Sequence, residues 1–296
     1  MQVNGVRIED AFAEAFPMWG ARVVITAATP RWALVAARTM TGFATSVIGC
    51  GCEAAVERFW PNTPDGRPGV SVLVFATSRD RLRRALVDRI GQAVMTCPTT
   101  ACYNGLSAEE SEPVGSALRY FGDGFQRRKR IGPKRYWRIP VMDGEFVVEE
   151  HFGVVQAVGG GNFLIFGCDE EAALAAARAA VRAARAVEGV ALPFPGGVVR
   201  SGTKVGSRYR FLTASTNDPY CPVLRTRTKT ALPPEANAVY EIVIDGLAEG
   251  PVREAMRRGI LAACREGVVS ISAANFGGRL GPYHLRLQEV LAGPLS

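Results

Sequence analysis

Apolar and polar positions along this chain switch between a two-residue and a roughly four-residue period, and the switching repeats. Arg22 to Ala27 (RVVITA) is a β-branched run and predicts a strand. Thr29 and Pro30 then supply a helix cap and a first-turn proline. Trp32, Ala33, Ala36, Ala37 and Met40 recur at helical spacing until Gly42 stops them. Thr45 to Ile48 reads as the next strand and Val70 to Ala76 as another. Ser78 caps a second helix with Leu82, Ala85, Leu86, Ile90 and Ala93 on one stripe. A short strand around Val94 to Cys97 closes the set.

The second half repeats the order. Asn162 to Phe166 (NFLIF) predicts a strand, and Asp169, Glu170 and Glu171 place negative charge at the start of a long alanine-rich helix ended by Gly189. Gly197 to Val205 continues as strand, and Ala238 to Asp245 (AVYEIVID) is a clear one. Pro251 opens a helix with Val252, Ala255, Met256, Gly259, Ile260 and Ala263 inward, and Val268 to Ser272 returns as strand. Two βαββαβ sets in tandem predict an α+β protein of two ferredoxin-like sandwich lobes. The stretch from Ser116 to Phe152 reads as short strands and turns, a β-hairpin insertion. The predicted lobes are 1–148, which includes the insertion at 116–148, and 149–296.

Composition narrows the class. Hydrophobic residues make up 48% of the 296 residues and charged ones 21%, enough apolar surface for substantial cores. The most apolar long stretch, Ala172 to Val187, is too short and carries Arg178, Arg182 and Arg185, so no membrane span is expected. MQVNGVRIEDAF has acids where a secretion signal needs an apolar run, and a soluble cytoplasmic protein is expected. Seven cysteines without CxxC spacing, with only His151 and His284, disfavour a zinc site and predict free thiols. The same scarcity of histidine disfavours a Ser-His-Asp or Cys-His mechanism and points to a carboxylate for proton transfer. The net charge of +7 is local: Gln126 to Arg138 holds seven basic residues and no acid, and the rest of the chain balances at 28 against 28. Such a patch suits an anionic ligand or partner, or a solvated loop.

The strand-to-helix junctions AATPRW, ATSRDR, GCDEEA and DGLAEGP carry no nucleotide-phosphate motif. The aromatic signature of an RNA-binding ferredoxin-like domain is also missing. TPDGRPG, FGDGF, PFPGG, ASTNDPYCP and ANFGGRLG combine glycine, amides, hydroxyls and aromatics, which suit a heteroaromatic ligand as well as plain turns. Glu241 is sharper. A carboxylate inside AVYEIVID is costly unless paired or protonated, and desolvation would raise its pKa toward neutrality. An arginine partner or an edge position facing solvent is the other reading.

VYEIVIDGL, ANFGGRLG, ASTNDPYCP, PFPGGVV, GGGNF, FGDGF, TPDGRPGV, DRIGQAVMT and the opening NGVRIEDAFAEAFPMWGARVVITAA, in order from residue 4 to about 287, resemble the formylmethanofuran–tetrahydromethanopterin formyltransferases. The resemblance implies two similar α/β lobes, a homo-oligomer built as a dimer of dimers, no prosthetic group and no metal. Methanofuran and tetrahydromethanopterin are the implied cosubstrates, with the formyl group passing between the methanofuran amine and the pterin N5. It implies Glu241 as acid/base. It implies Asn275, Phe276 and Gly277, with Ser215, Thr216 and Asn217, as cosubstrate contacts and oxyanion donors. Asp123 would contact a pterin edge. Arg127, Arg128 and Arg130 would hold an acidic cosubstrate tail or dock a partner. Archaeal members are typically acidic. This basic chain is closer to the methylotrophic bacterial version, a subunit of a formyltransferase/hydrolase complex that helps oxidise formaldehyde to formate. The competing expectations are a non-catalytic anion- or RNA-binding protein and a scaffold subunit on the same fold.

Overall fold

The structure, a computed structural model, describes residues 1–293. The chain gathers into two compact units, Met18–Ala157 and Met1–Pro17 with Val158–Ser296. Each is a ferredoxin-like α+β sandwich with helices on one face of a mainly antiparallel sheet. The units differ from the consecutive lobes 1–148 and 149–296 because pairing, not sequence order, decides membership. Val6–Ile8 lies parallel to Val268–Ser272, with Ile8 beside Ile271, and residues 12–15 run antiparallel to Tyr283–Arg286. Val6, Ile8, Ala13 and Ala15 accordingly join the core of the C-terminal unit. Among the described residues no helix is long and apolar enough to cross a membrane.

In the Met18–Ala157 unit, Gly69–Ala76 pairs antiparallel with Glu53–Trp60 and with residues 19–26. Pro30–Thr41 and Arg79–Arg89 cover one face, each begun as its sequence predicts. Thr29 accepts the Trp32 N–H, and Ser78 accepts the Arg81 N–H. Their apolar stripes meet Val23, Ile25, Val72 and Val74 from the sheet. The insertion is not a separate hairpin. It forms Arg127–Ile131, Lys134–Val141 and Gly144–Glu149, a meander whose last strand pairs parallel with Ala101–Asn104. LRYF within it is helical instead of extended, in Val114–Leu118 and Arg119–Gly122.

Three predicted strands take other forms. Thr45–Ile48 yields to a short helix, Val47–Cys50, because Ser46 accepts the Ile48 N–H and the buried Glu53 carboxylate accepts the Val47 N–H at 2.8 Å. Residues 94–97 end a helical extension, Ile90–Val94, and the strand comes later, at Ala101–Asn104. Pro195–Gly197 is a 3₁₀ turn with φ +66° at Gly196 and +86° at Gly197, so no strand starts there. The last long helix starts at Glu249, two residues before Pro251, which its first turn tolerates.

In the C-terminal unit, residues 158–167 form the centre, with Val268–Ser272 on one side and Ala238–Gly246 on the other, both antiparallel. Glu170–Ala184, capped by Asp169, and Glu249–Ala263 pack on one face. Phe163, Ile165, Ile242, Ile244 and Ile271 meet them. Leu164, Phe166 and Val239 occupy the opposite face, where Tyr220, Leu232 and Ala236 from the segment between residues 198 and 237 cover them. That second face carries the site.

Candidate active site

Alternation along Ala238–Gly246 decides where Glu241 goes. Ile242 and Ile244 enter the helix-side core, so Glu241 shares the other face with Val239. On its two flanks stand Leu164 and Val199. Val199 donates its N–H to the Glu241 carbonyl at 2.8 Å and accepts the Glu241 N–H at 3.1 Å. The residue is 9% exposed. Among the described residues no ion pair or side-chain hydrogen bond reaches its carboxyl, which removes the arginine-paired reading. Burial alone pushes its pKa up to about 7. Such a group holds and releases a proton near neutral pH.

A cavity of about 40 Å³ opens beside it, lined among others by Leu164, Val199, Asn217, Tyr220 and Cys221. Its size suits one small group such as a formyl carbon and its oxygen, not a whole cosubstrate. The Tyr220 hydroxyl is pushed up by burial and then by the Glu241 charge. Nothing in its own stretch of sequence, the ASTNDPYCP loop, sets Tyr220 apart from its neighbours.

Of the predicted contacts, Asn217 reaches this cavity. Ser215 donates its hydroxyl to the Gly206 carbonyl at 2.8 Å, bracing the Lys204–Val205 and Ala214–Ser215 pair, and Thr216 is exposed beside Cys221. The ANFGGRLG loop is organised by two side chains remote from it in sequence, Asn162 and Glu14. Asn162, from GGGNF, donates to the Ala274 carbonyl at 2.9 Å and accepts the Ala274 N–H at 2.7 Å. Glu14, 1% exposed, accepts N–H groups from Phe276 at 2.8 Å, Gly278 at 3.0 Å, Gly281 at 3.1 Å and also from Leu280. Burial pushes the Glu14 pKa up, but the four donors outweigh it and leave the carboxyl below its ordinary value. Gly277 gives its own N–H to the Asn275 side chain at 3.1 Å and stands at φ +73°. The loop's backbone N–H groups at 276, 277 and 278 are therefore engaged inside the protein. Among the side-chain donors of this loop is the Asn275 amide, 3.4 Å from the Phe12 carbonyl.

Asp123 and Arg127, Arg128 and Arg130 belong to the other unit. Asp123 is exposed and left-handed at φ +49°. The three arginines are exposed on Arg127–Ile131, the outermost strand of its meander. Lys134 and Arg135 on the neighbouring strand pair with the buried Glu149 and Glu150, whereas among the described residues Arg127, Arg128, Lys129 and Arg130 have no ion pair. No group of three or more His, Cys, Asp or Glu among the described residues is arranged to hold a metal ion.

The family model for formylmethanofuran-tetrahydromethanopterin formyltransferase matches residues 1–141, and the model for the proximal lobe of that enzyme matches residues 144–290. A formylmethanofuran–tetrahydromethanopterin formyltransferase of Methylococcus capsulatus is 56% identical over 99% of this chain and 100% of its own length. One subunit of the formyltransferase/hydrolase complex of Methylorubrum extorquens is 49% identical over 99% of this chain and 98% of its own. The solved formyltransferase of Methanosarcina barkeri superimposes with a TM-score of 0.93 at 49% identity, covering 98% of this chain and 100% of that one. The crystal structure of the Methylorubrum extorquens complex with methylofuran gives 0.96 at 48% identity, with 99% of each chain covered. Fold and matches together define a transferase of one-carbon groups. The chain belongs to the formylmethanofuran–tetrahydromethanopterin formyltransferase family.

Proposed function

We propose that this enzyme passes a formyl group between the amine of methanofuran and N5 of tetrahydromethanopterin, with Glu241 carrying the proton between the two nitrogens. The observation behind this reading is a buried, uncompensated carboxyl poised near neutrality in a cavity that fits the reacting group. In the pterin-ward direction, N5 attacks the formyl carbon and the carbonyl becomes an oxyanion. Ionised Glu241 takes the proton from N5, then returns it to the methanofuran nitrogen as that carbon–nitrogen bond breaks. A carboxyl near pH 7 does both steps, and acid–base help of this kind is worth roughly 10²–10⁴ in rate. The oxyanion falls to the side-chain amides of Asn217 and Asn275 and the Tyr220 hydroxyl, one well-aimed donor being worth about 3 kcal/mol. A non-catalytic subunit would have no use for a carboxyl buried without a partner.

Asp123 is assigned to a pterin edge. Arg127, Arg128 and Arg130 are assigned to an acidic cosubstrate tail or an acidic partner. A relative named as part of a formyltransferase/hydrolase complex supports assembly of this chain with hydrolase subunits. A homo-oligomer and a cytoplasmic location complete the reading.

The test is a spectrophotometric assay for 5-formyl-tetrahydromethanopterin with the purified chain and both cosubstrates. Turnover by the wild type and its near-loss in a folded Glu241→Gln variant are expected. Equal turnover by the two removes Glu241 from the mechanism.

A further inference from the structure

The TPDGRPG loop belongs to the unit that does not contain Glu241, and it is tightly built. Asp65 accepts the Thr26 hydroxyl at 2.7 Å, the Tyr103 hydroxyl at 3.0 Å and the Arg67 Nε at 2.9 Å. Arg67 also bonds the Thr26 hydroxyl, and Thr63 closes the loop on the Arg67 carbonyl. These bonds hold Pro64 and Asp65 at the rim of a cavity of about 540 Å³ on the helix-free face of the Met18–Ala157 sheet. That volume is typical of small-molecule sites.

The cavity's chemistry is specific. Tyr103 and Tyr136 present rings 6.1 Å apart at 70°, beside Val147. They are 4% and 7% exposed. Tyr103 spends its proton on Asp65, while the Tyr136 hydroxyl has no hydrogen bond among the described residues. Arg138 is held by Glu145 at 2.6 Å, and Asp65 by Arg67, so these four charges cancel. Lys129 is left as the uncompensated charge of the lining. Aromatic surface takes a flat ring edge-on or offset. One free ammonium and one free hydroxyl suit a single carboxylate. A dianionic phosphate would face Asp65 and Glu145 with too little positive charge.

We propose that this cavity binds a small aromatic carboxylate, its ring against Tyr103, Tyr136 and Val147 and its carboxylate on Lys129 and the Tyr136 hydroxyl. It lies in the unit that does not contain Glu241, so its occupation does not rest on the formyl-transfer reading.

The probe is 4-aminobenzoate, titrated into the full-length protein by calorimetry and followed by saturation transfer to its ring protons. Saturable binding is expected, about tenfold weaker in Lys129→Gln and in Tyr136→Phe. It is expected to be unchanged in Glu241→Gln, and weaker for aniline, which lacks the carboxylate, and for acetate, which lacks the ring. Lys129 is exposed and Tyr136→Phe removes one oxygen, so thermal melts of both variants should match the wild type. Absence of saturable binding, equal affinity in the two variants and the wild type, or a loss in Glu241→Gln instead would each overturn the proposal.

Discussion

Asn162 satisfies both backbone groups of Ala274, a residue 112 positions away, with hydrogen bonds of 2.9 and 2.7 Å. The bonds are buried, so neither Ala274 group has water to turn to. They fix the point where Val268–Ser272 gives way to the ANFGGRLG loop. Asn162→Ala orphans an N–H and a C=O, each costing about 1–3 kcal/mol. Urea unfolding should show that loss, and amide exchange at residues 274–278 should speed up more than elsewhere in the C-terminal unit. Protection unchanged there would mean that the loop is held by other means.

Glu14 holds the remainder of the same loop, and its contribution depends on charge. Its pKa is lowered on folding, so it favours the native state above the ordinary value of 4.5. That help fades as pH falls through the depressed folded value. Glu14→Gln offers one acceptor where there were two and turns an N–H₂ toward donors. The variant should be less stable than wild type at pH 7, and the gap should shrink steadily as the pH is taken below 4.5. A gap independent of pH would show that the carboxylate charge does not organise the loop.

Glu241 has the opposite sign. Its pKa rises on folding, so the native state binds the proton more tightly than the unfolded chain between 4.5 and about 7. Native stability therefore falls across that window as pH rises and levels off above it, by about 3 kcal/mol in all. Glu241→Gln removes the titration. Relative to wild type it should gain stability from pH 5 to pH 8 while kcat drops about 10²–10⁴-fold. Parallel stability curves would show that the carboxyl is not desolvated in solution.

These two glutamates also mark how far the sequence could be read. Both sit in apolar strands, AFAEAF and AVYEIVI, so the signal of a costly carboxylate was the same in each. What separates them is remote: the first donor to the Glu14 carboxylate lies 262 residues further along the chain, whereas no donor or cation among the described residues reaches the Glu241 carboxyl. Helix starts at Thr29, Ser78 and Asp169 were legible because a cap needs only its own next few residues. The Val47–Cys50 turn was not, since it depends on the Glu53 carboxylate folding back on it. The first seventeen residues join the C-terminal unit for the same kind of reason, as their partners lie beyond residue 267.

The basic stretch separates into two kinds of cation, and mutation should tell them apart. Arg127, Arg128 and Arg130 are exposed and unpaired among the described residues. Reversing all three to Glu should leave the melting curve within about 0.5 kcal/mol of wild type. It should raise KM for an acidic cosubstrate or release an acidic partner, an effect that weakens with added salt. Lys134 and Arg135 instead neutralise Glu149 and Glu150, whose side chains are nearly inaccessible. Reversing those two strands two carboxylates in the sheet. Because both cations are themselves about half exposed, the cost should fall short of the about 3–5 kcal/mol of a fully buried pair. The loss should appear in unfolding whether or not cosubstrates are present. If the first triple variant changes neither KM nor assembly, the outer strand is a solvated edge and binding of anions lies elsewhere.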